Sequence, residues 1–522
     1  MNLAFDPWIP CTCRNGAMRR ASLLQCLTEG ELADLAVRPH ERVALMRLFL
    51  CVACAALGIP KDYMAWQTCR ERLPEAARRY LEQWRDSFEL FHPEKPFLQV
   101  AGLRGAAKPA AKKSTDSDAE AGGPKPTSKL DFALATGNNS TLFDHEALNP
   151  HRAAAEPEKL ALDLLTFQMF SPAGTISIVT WNGQTSGKSS SDAPCAPASM
   201  LHSCVRGADL PETVWLNLLS AEDLRDYAAL TPGEDGWQGR PLWEMFPAGP
   251  DDKGPVHNAT RTFIGRLVPL SRAIWLRGDG VMLLGDGLTY PTFSKGEFPP
   301  EPSAAVVVRK GKKDAEELTV LGVQPGKALW RQLHALTVRR AAENPGGCLA
   351  LAHVDDAEGA DLVVGGLARD QASVIDAVES VFHVPAAMLR EEGHDLYEHE
   401  VRKAEEVDGA LGSAMKDWSA VLDGGHRSGA CARLRAQASR DYWSTVEGEL
   451  PLLLAALDAL GTDDYPRRRE KWRKMLRTSA LSAYTTACRG DGERQLRAFA
   501  AGKKTLLARA AKTLELHKEE EA

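Results

Sequence analysis

Apolar positions along the chain fall into three regimes. Residues 41–58 are hydrophobic almost all round and read as a buried helix, while 74–91, with Leu73, Ala77, Tyr80, Leu81, Trp84 and Phe88 near helical spacing, predicts an amphipathic one. Towards the middle the apolar runs shorten to strand length: 175–180, 266–268, 281–284, 304–308 and 318–321 alternate with Gly/Pro turns. Residues 349–354 and 361–364 are spaced to pair as a hairpin across 355–359. Beyond about 385 the period turns helical, predicting long helices over 386–422, 430–460, 466–488 and 493–518, joined by short polar breaks as in an up-down bundle. The expected fold class is α+β: a large mixed α/β N-terminal domain over 1–383, then a C-terminal four-helix bundle over 384–522. No internal repeat is visible.

Two stretches have a different texture. Residues 104–129 are poor in large apolar side chains and rich in Ala, Lys, Pro, Gly and Ser, so they bury too little surface to offset ordering entropy and are expected to be a mobile insertion. Residues 182–199 look similar.

Composition narrows the function classes. A chain of 522 residues, 44% hydrophobic, has ample material for a large core. A net charge of −7 does not suit a globally basic nucleic-acid binder, so any such contact must be regional. No signal-peptide pattern opens the chain, and the most apolar segment, 45–59, is interrupted by Arg47 and too short to span a bilayer. A cytoplasmic location without membrane contact is expected. The eleven cysteines include Cys11-x-Cys13 and Cys51-x-x-Cys54, but neither pair has the second pair or nearby histidines of a closed zinc site. Mostly buried free thiols are expected, and no metal or cofactor.

The regional excess of positive charge lies in the last two helices, which carry Arg467, Arg468, Arg469, Lys471, Arg473, Lys474, Arg477, Arg494, Arg497, Lys503, Lys504, Arg509 and Lys512 against few acids. Such a face is either simply solvated or a surface for phosphates.

Catalytic motifs are weak. Gly183-Gln184-Thr185-Ser186-Gly187-Lys188-Ser189 resembles a phosphate-binding loop, but has three residues between its glycines rather than four and runs into Ser190-Ser191-Asp192-Ala193-Pro194 instead of a helix. His394-x-x-x-Glu398-His399 sits on a charged helix surface, one residue longer than the inverted zincin spacing. No nucleophile elbow or Cys-His couple is apparent, and the chain is not expected to be an enzyme.

The remaining motif is GGLARDQAS at 365–373. Asp370 is a suitable N-cap, and Val374, Ala377, Val378, Val381 and Phe382 share one helical face, so a helix is predicted from about Gln371, with that amide at its rigid tip. There it could meet base edges or stand in for a displaced pairing partner. Taken alone, the stretch reads first as a capped helix after a glycine turn, with nothing to bind.

Together with MNLAFDPWIP (1–10), HPEKPFLQ (92–99) and VRGADLPETVWLNLL (205–219), this motif resembles the CasA family, the large subunit of the type I-E Cascade CRISPR surveillance complex, along essentially the whole chain. The resemblance implies a non-catalytic subunit that works with guide RNA and the other Cascade subunits. Such a subunit recognises the protospacer-adjacent motif of double-stranded DNA from the minor groove, begins strand separation and helps recruit a helicase-nuclease. It places a glutamine wedge at Gln371, flanked by Asp370, where asparagine is familiar, and Ala372. It places a glycine loop at 171–175, with Gly174, and a lysine finger for which an ungapped match gives Thr289 and the nearest lysine is Lys295. A loop at 138–145, with Asn139, Phe143, Asp144 and His145, would engage the guide RNA end or neighbouring subunits. The basic bundle face, Arg467, Arg468, Arg473, Lys474, Arg494 and Arg497, would hold the displaced strand or dock subunits. A nucleotide-hydrolysing enzyme using 183–189 and a purely structural scaffold subunit are the alternatives.

Overall fold

The computed structural model describes residues 1–106, 123–132, 155–187, 191–225, 236–277, 280–291, 301–310, 316–340, 345–355, 357–370, 373–423, 429–490 and 492–516. They form two compact units. The first comprises Met1–Leu329, Arg339–His353 and Asp361–Phe382; the second comprises Trp330–Val338, Val354–Ala360 and His383–Ala522.

The first unit opens with a small antiparallel sheet, β1 (Ile9–Cys13), β2 (Met18–Ala21) and β3 (Leu32–Leu35), with α1 (Leu23–Thr28) between the last two. Ser22 and Gln25 form a reciprocal capping box on α1. Then come α2 (Pro39–Leu57) and α3 (Tyr63–Gln83), the latter passing through Pro74 rather than starting there. Helix α2 is buried along most of its length. The next elements are short: β4 (Arg104–Gly105), β5 (Lys125–Pro126), α4 (Pro157–Phe170), β6 (Val179–Trp181), β7 (Gln184–Thr185), β8 (His202–Arg206) and α5 (Leu210–Leu216). They are followed by α6 (Lys253–Arg261), α7 (Phe263–Leu267), β9 (Arg272–Leu276), β10 (Val281–Asp286), β11 (Val306–Lys310) and β12 (Glu316–Val320).

After α8 (Leu333–Thr337), which belongs to the second unit, the chain forms β13 (Ala360–Asp370) and β14 (Ser373–Val384). These two join β8 in a sheet of order β14-β13-β8. Only residues 371 and 372 separate them, too few for a parallel crossover, so they run antiparallel. A Cβ on Gly365 would lie 3.2 Å from the Val378 carbonyl, in keeping with that pairing.

Several expectations are corrected here. The stretch after Asp370 is a strand, not a helix: Val374, Ile375, Val378, Val381 and Val384 are β-branched, and β13 offers a ladder along their length. Asp370 is therefore the end of a strand and not an N-cap. Gly365 and Gly366 lie inside β13, where a Cβ on Gly366 would come within 2.7 Å of the Met200 carbonyl. Residues 349–353 form a 3-10 turn, and β13 pairs with β8 instead. Residues 266–267 end helix α7. The ends of the supposed insertion at 104–129 are tied down, Arg104 and Gly105 to β6 and Lys125 and Pro126 to β10, while 107–122 lie outside the described residues.

The second unit contains α9 (Glu391–Asp423), α10 (Gly429–Gly448), α11 (Leu450–Asp458), α12 (Tyr465–Ala487) and α13 (Glu493–Leu514). The second helix of the expected bundle is split at Glu449, just before Pro451, which fits only the first turn of α11. Tyr397, Val401, Ala404, Val407, Leu411, Ala414 and Met415 form the buried stripe of α9 against α10, α12 and α13. Inside, Glu400 receives Arg469 Nε at 2.9 Å and Arg473 Nη2 at 2.8 Å, and Arg473 also caps α13 by donating to the Leu514 carbonyl at 2.9 Å.

A second buried charge cluster pins α2 within the first unit. Arg47 donates to Glu301 and to the carbonyls of Arg266 and Leu267, Arg266 Nε reaches Glu301 at 3.2 Å, and Arg340 donates to the Glu301 carbonyl at 2.9 Å. Burial would raise the Glu301 carboxyl, but Arg47 and Arg266 outweigh it and hold it at about 2. Its stabilising contribution is complete above the ordinary carboxylate range and drains away as pH falls toward that value. Replacing Glu301 with Gln deprives two buried guanidinium groups of their carboxylate and should cost about 3–5 kcal/mol at neutral pH. It should also flatten the acid limb of stability, as read by thermal melts between neutral and acidic pH.

Candidate nucleic-acid interface

The segment 191–200 has little regular structure, yet it is largely buried, against the reading of 182–199 as too polar to order. Along one edge it follows the end of α4, with the Cys195 N–H on the Met169 carbonyl (3.0 Å) and the Ala193 N–H on the Ser171 carbonyl (2.9 Å). From there it reaches three separate parts of the chain.

The first is the loop 171–175. Arg272, 1% exposed at the start of β9, donates from Nε to Ser171 Oγ (2.9 Å) and from Nη2 to the carbonyls of Pro172 (2.6 Å) and Gly174 (3.0 Å). Its Nη1 meets Asp286 Oδ1 at 3.1 Å, and that oxygen also accepts the Ile176 N–H at 2.9 Å. Burial lowers the Arg272 pKa from its ordinary value, while Asp286 and Asp192 oppose that shift. Ala173, Gly174 and Thr175 form an exposed crest. Gly174 has φ of +119°, a backbone region closed to most side chains, with open space where a Cβ would stand. The Ala173 N–H donates to Asp192 Oδ1 at 2.7 Å.

The second is the end of β13. Arg369 Nη2 donates to the same Asp192 Oδ1 at 3.1 Å and to the Ala196 carbonyl at 2.6 Å, and the Arg369 N–H donates to Ser199 Oγ at 2.9 Å. Its side chain is 6% exposed, whereas Asp370, the next residue, is exposed. On the opposite strand Glu379 accepts from Arg42 Nε of α2 at 2.8 Å. The strand pair is thus braced from both sides below its exposed end.

The third is the chain after β10. Ser191 Oγ donates to the carbonyls of Tyr290 (2.8 Å) and Pro291 (3.2 Å), and the Tyr290 hydroxyl donates to the Leu270 carbonyl at 3.2 Å. Residues 171–173, residues 290–291 and Arg369, far apart in sequence, are therefore bonded to one segment.

A family model described as CRISPR-associated protein Cse1 matches residues 2–483. The chain belongs to the Cse1 family. The CasA/Cse1 protein of Thermus thermophilus is 30% identical to it over 539 residues, covering 96% of this chain and 95% of that protein. The crystal structure of Thermus thermophilus CasA superposes with a TM-score of 0.70 at 25% identity, covering 98% of this chain and 99% of that one. A chain of a CRISPR RNA-guided surveillance complex shares the fold, with a TM-score of 0.65 at 18% identity over 97% of this chain and 99% of that one.

Within this Cse1 chain, Gly174, Thr289 and Asp370 fall among the described residues and lie on or beside the three anchored stretches. Gln371, Ala372, Lys295, Asn139, Phe143, Asp144 and His145 lie outside the described residues. The bundle cations divide. Arg473 is not on a surface: 7% exposed, it holds Glu400 and Glu515. Arg467 and Arg468 share Asp464, at 2.7 and 2.5 Å, Lys474 pairs with Glu470 at 3.0 Å and Arg497 with Glu493 at 2.6 Å. Arg494 donates to the Val421 carbonyl at 3.3 Å. The face is less basic than the sequence count implies, because these acids lie about one turn away, Asp464 just before α12, Glu470 on it and Glu493 at the start of α13.

The phosphate-loop candidate takes another form as well. Asn182 (φ +47°) and Gly183 (φ +75°) make the two-residue turn of the β6–β7 hairpin, a geometry that asparagine-glycine pairs favour, while Lys188 and Ser189 lie outside the described residues. All eleven cysteines are free thiols, and nine of them are buried. Among the described residues no cluster has the makings of a metal site, and no helix is long and apolar enough to cross a membrane.

The Arg272 anchor has a measurable consequence. Arg272→Met takes the guanidinium away from Asp286, a carboxylate 0% exposed. It should cost about 3–5 kcal/mol in denaturant unfolding, and amide exchange at Ile176 should quicken.

Proposed function

We propose that this chain is the large subunit of an RNA-guided CRISPR surveillance complex, where it reads a short flanking motif in double-stranded DNA and starts strand separation there. Family membership supports the subunit role. One structural observation supports the DNA-reading role: the bases of the three stretches assigned to motif recognition meet on the segment 191–200. Reading a groove and opening the neighbouring pair both require several elements held in fixed register, since a loose wedge loses to the few kcal/mol that unstacking costs.

In this reading the crest at Gly174, which carries no side chain, approaches the floor of the minor groove, and a lysine after β10, for which Lys295 is the candidate, adds a donor. The degenerate pattern of that groove makes tolerance of several motifs the natural outcome. Gln371, with Ala372 beside it, enters below the motif as the wedge. Asp370 points to a tip that avoids phosphates, because a carboxylate next to them is repelled. Asn139, Phe143, Asp144 and His145 are assigned to the guide RNA end or adjoining subunits. The exposed Arg467, Arg468, Lys474, Arg494 and Arg497 are assigned to the displaced strand. The subunit is non-catalytic, needs no cofactor, and hands the opened target to a helicase-nuclease.

Gln371→Ala should leave assembly of the reconstituted complex intact and reduce permanganate reactivity of the first unpaired target thymines by about tenfold, the equivalent of a lost wedge. Unchanged opening sinks the wedge assignment. Reversing Arg467 and Arg468 to Glu should lower the slope of log K against log salt by roughly 1–2, as expected for two lost phosphate contacts. A scaffold that never meets DNA would show no change.

A further inference from the structure

We infer that Asp192 is a positioning residue that couples the motif-reading loop to the strand pair carrying the wedge; the inference rests on the function proposed above. A single oxygen, Asp192 Oδ1, accepts both the Ala173 N–H (2.7 Å) and Arg369 Nη2 (3.1 Å). One donor belongs to the exposed crest of the 171–175 loop, the other to the residue before the exposed end of β13.

The surroundings make this shared atom the natural place for transmission. Arg272 holds the loop from within by the carbonyls of Pro172 and Gly174. The peptide that presents the Pro172 carbonyl is also held from its other side, by Asp192 through the Ala173 N–H. Arg369 cannot follow freely, because its Nη2 also sits on the Ala196 carbonyl at 2.6 Å and its main-chain N–H on Ser199 Oγ at 2.9 Å. Asp192 itself is 23% exposed, against 6% for Arg369, so it lies at the boundary where a bound duplex alters the surroundings.

A duplex that turns the Ala173 peptide toward the groove removes one of two donors from Oδ1. The carboxylate is then left to Arg369, and the charge balance at the end of β13 changes. A duplex whose flank does not engage the crest leaves both donors in place. Asp192 thereby makes strand opening depend on the flanking motif, without touching a base.

The test uses the reconstituted complex and three DNA probes: a duplex whose flank was selected from a randomised pool, the same duplex with a rejected flank, and the selected duplex with its first target pairs mismatched so that it is already open. Asp192→Ala should reduce opening at the selected flank by about tenfold, a loss typical of residues coupled in one network. It should shrink the preference for the selected over the rejected flank, and leave affinity for the pre-opened duplex within about twofold. Arg369→Lys, which keeps the charge but loses the forked reach to Asp192 and Ala196, should give a similar loss, and the double variant no more than either alone. Parallel loss on the pre-opened duplex, an unchanged flank preference, or additive losses in the double variant overturn the inference. Gln371→Ala run alongside separates the two claims. If it abolishes opening while Asp192→Ala does not, the coupling falls and the proposed function stands; if it has no effect, the proposed function falls.

Discussion

A buried stretch of chain with little regular structure has to find hydrogen-bond partners for most of its peptide groups in other segments, since an unpaired one costs as much as a lost bond. The segment 191–200 meets that constraint by bonding to the end of α4, to the loop 171–175, to the chain after β10 and to Arg369. Satisfying its own polar atoms is therefore the same act as fixing three exposed stretches relative to one another. Polar composition, which elsewhere argues for disorder, here supplies the donors and acceptors that make the segment a fastening.

The fastening is useful only if what it grips is rigid. On one side Arg272 and Asp286, both essentially sealed from water, hold the loop against β9 and β10. On the other, the β13–β14 pair is braced by Glu379 on Arg42 of α2, whose neighbouring turns are pinned by Arg47 on Glu301. Removing one member of either buried pair is far more damaging than the net worth of the pair, because the remaining charge loses its counterion. The stiffness of the exposed stretches is thus inherited from ion pairs in the interior of the first unit.

The broad architecture is legible in the sequence because periodicity reports burial. The stripe on α9 and the continuous apolar character of α2 need no tertiary information to be seen. The strand β14 reads as a helix because Val374, Val378, Val381 and Phe382 satisfy a helical face as readily as a pleated one, and only the presence of β13 alongside decides. Conversely, three of the four stretches that carry the family resemblance serve the scaffold. Trp8 donates to the Leu3 carbonyl, Gln99 links the Leu90 carbonyl to the Leu276 N–H, and Asp209 caps α5. They reveal kinship but not mechanism. Asp192, Arg272 and Arg369 escape a reading of the sequence as site residues because each acts through a contact roughly a hundred or more positions away, or through a main-chain oxygen, and no local pattern records either. The Asn182-Gly183 turn signal is present in the sequence and argues by itself against the phosphate-loop reading.

Much of the holding is done by main-chain atoms: the carbonyls of Pro172, Gly174, Ala196, Tyr290 and Pro291 and the N–H groups of Ala173 and Ile176. Every amino acid brings the same carbonyl, and all but proline the same N–H, so such bonds survive replacement of the side chains beside them. The framework can then persist while its outer surface is rewritten, which accords with a TM-score of 0.70 retained at 25% identity. The exposed crest and strand end are thereby free to change residue by residue without loosening the anchorage beneath them.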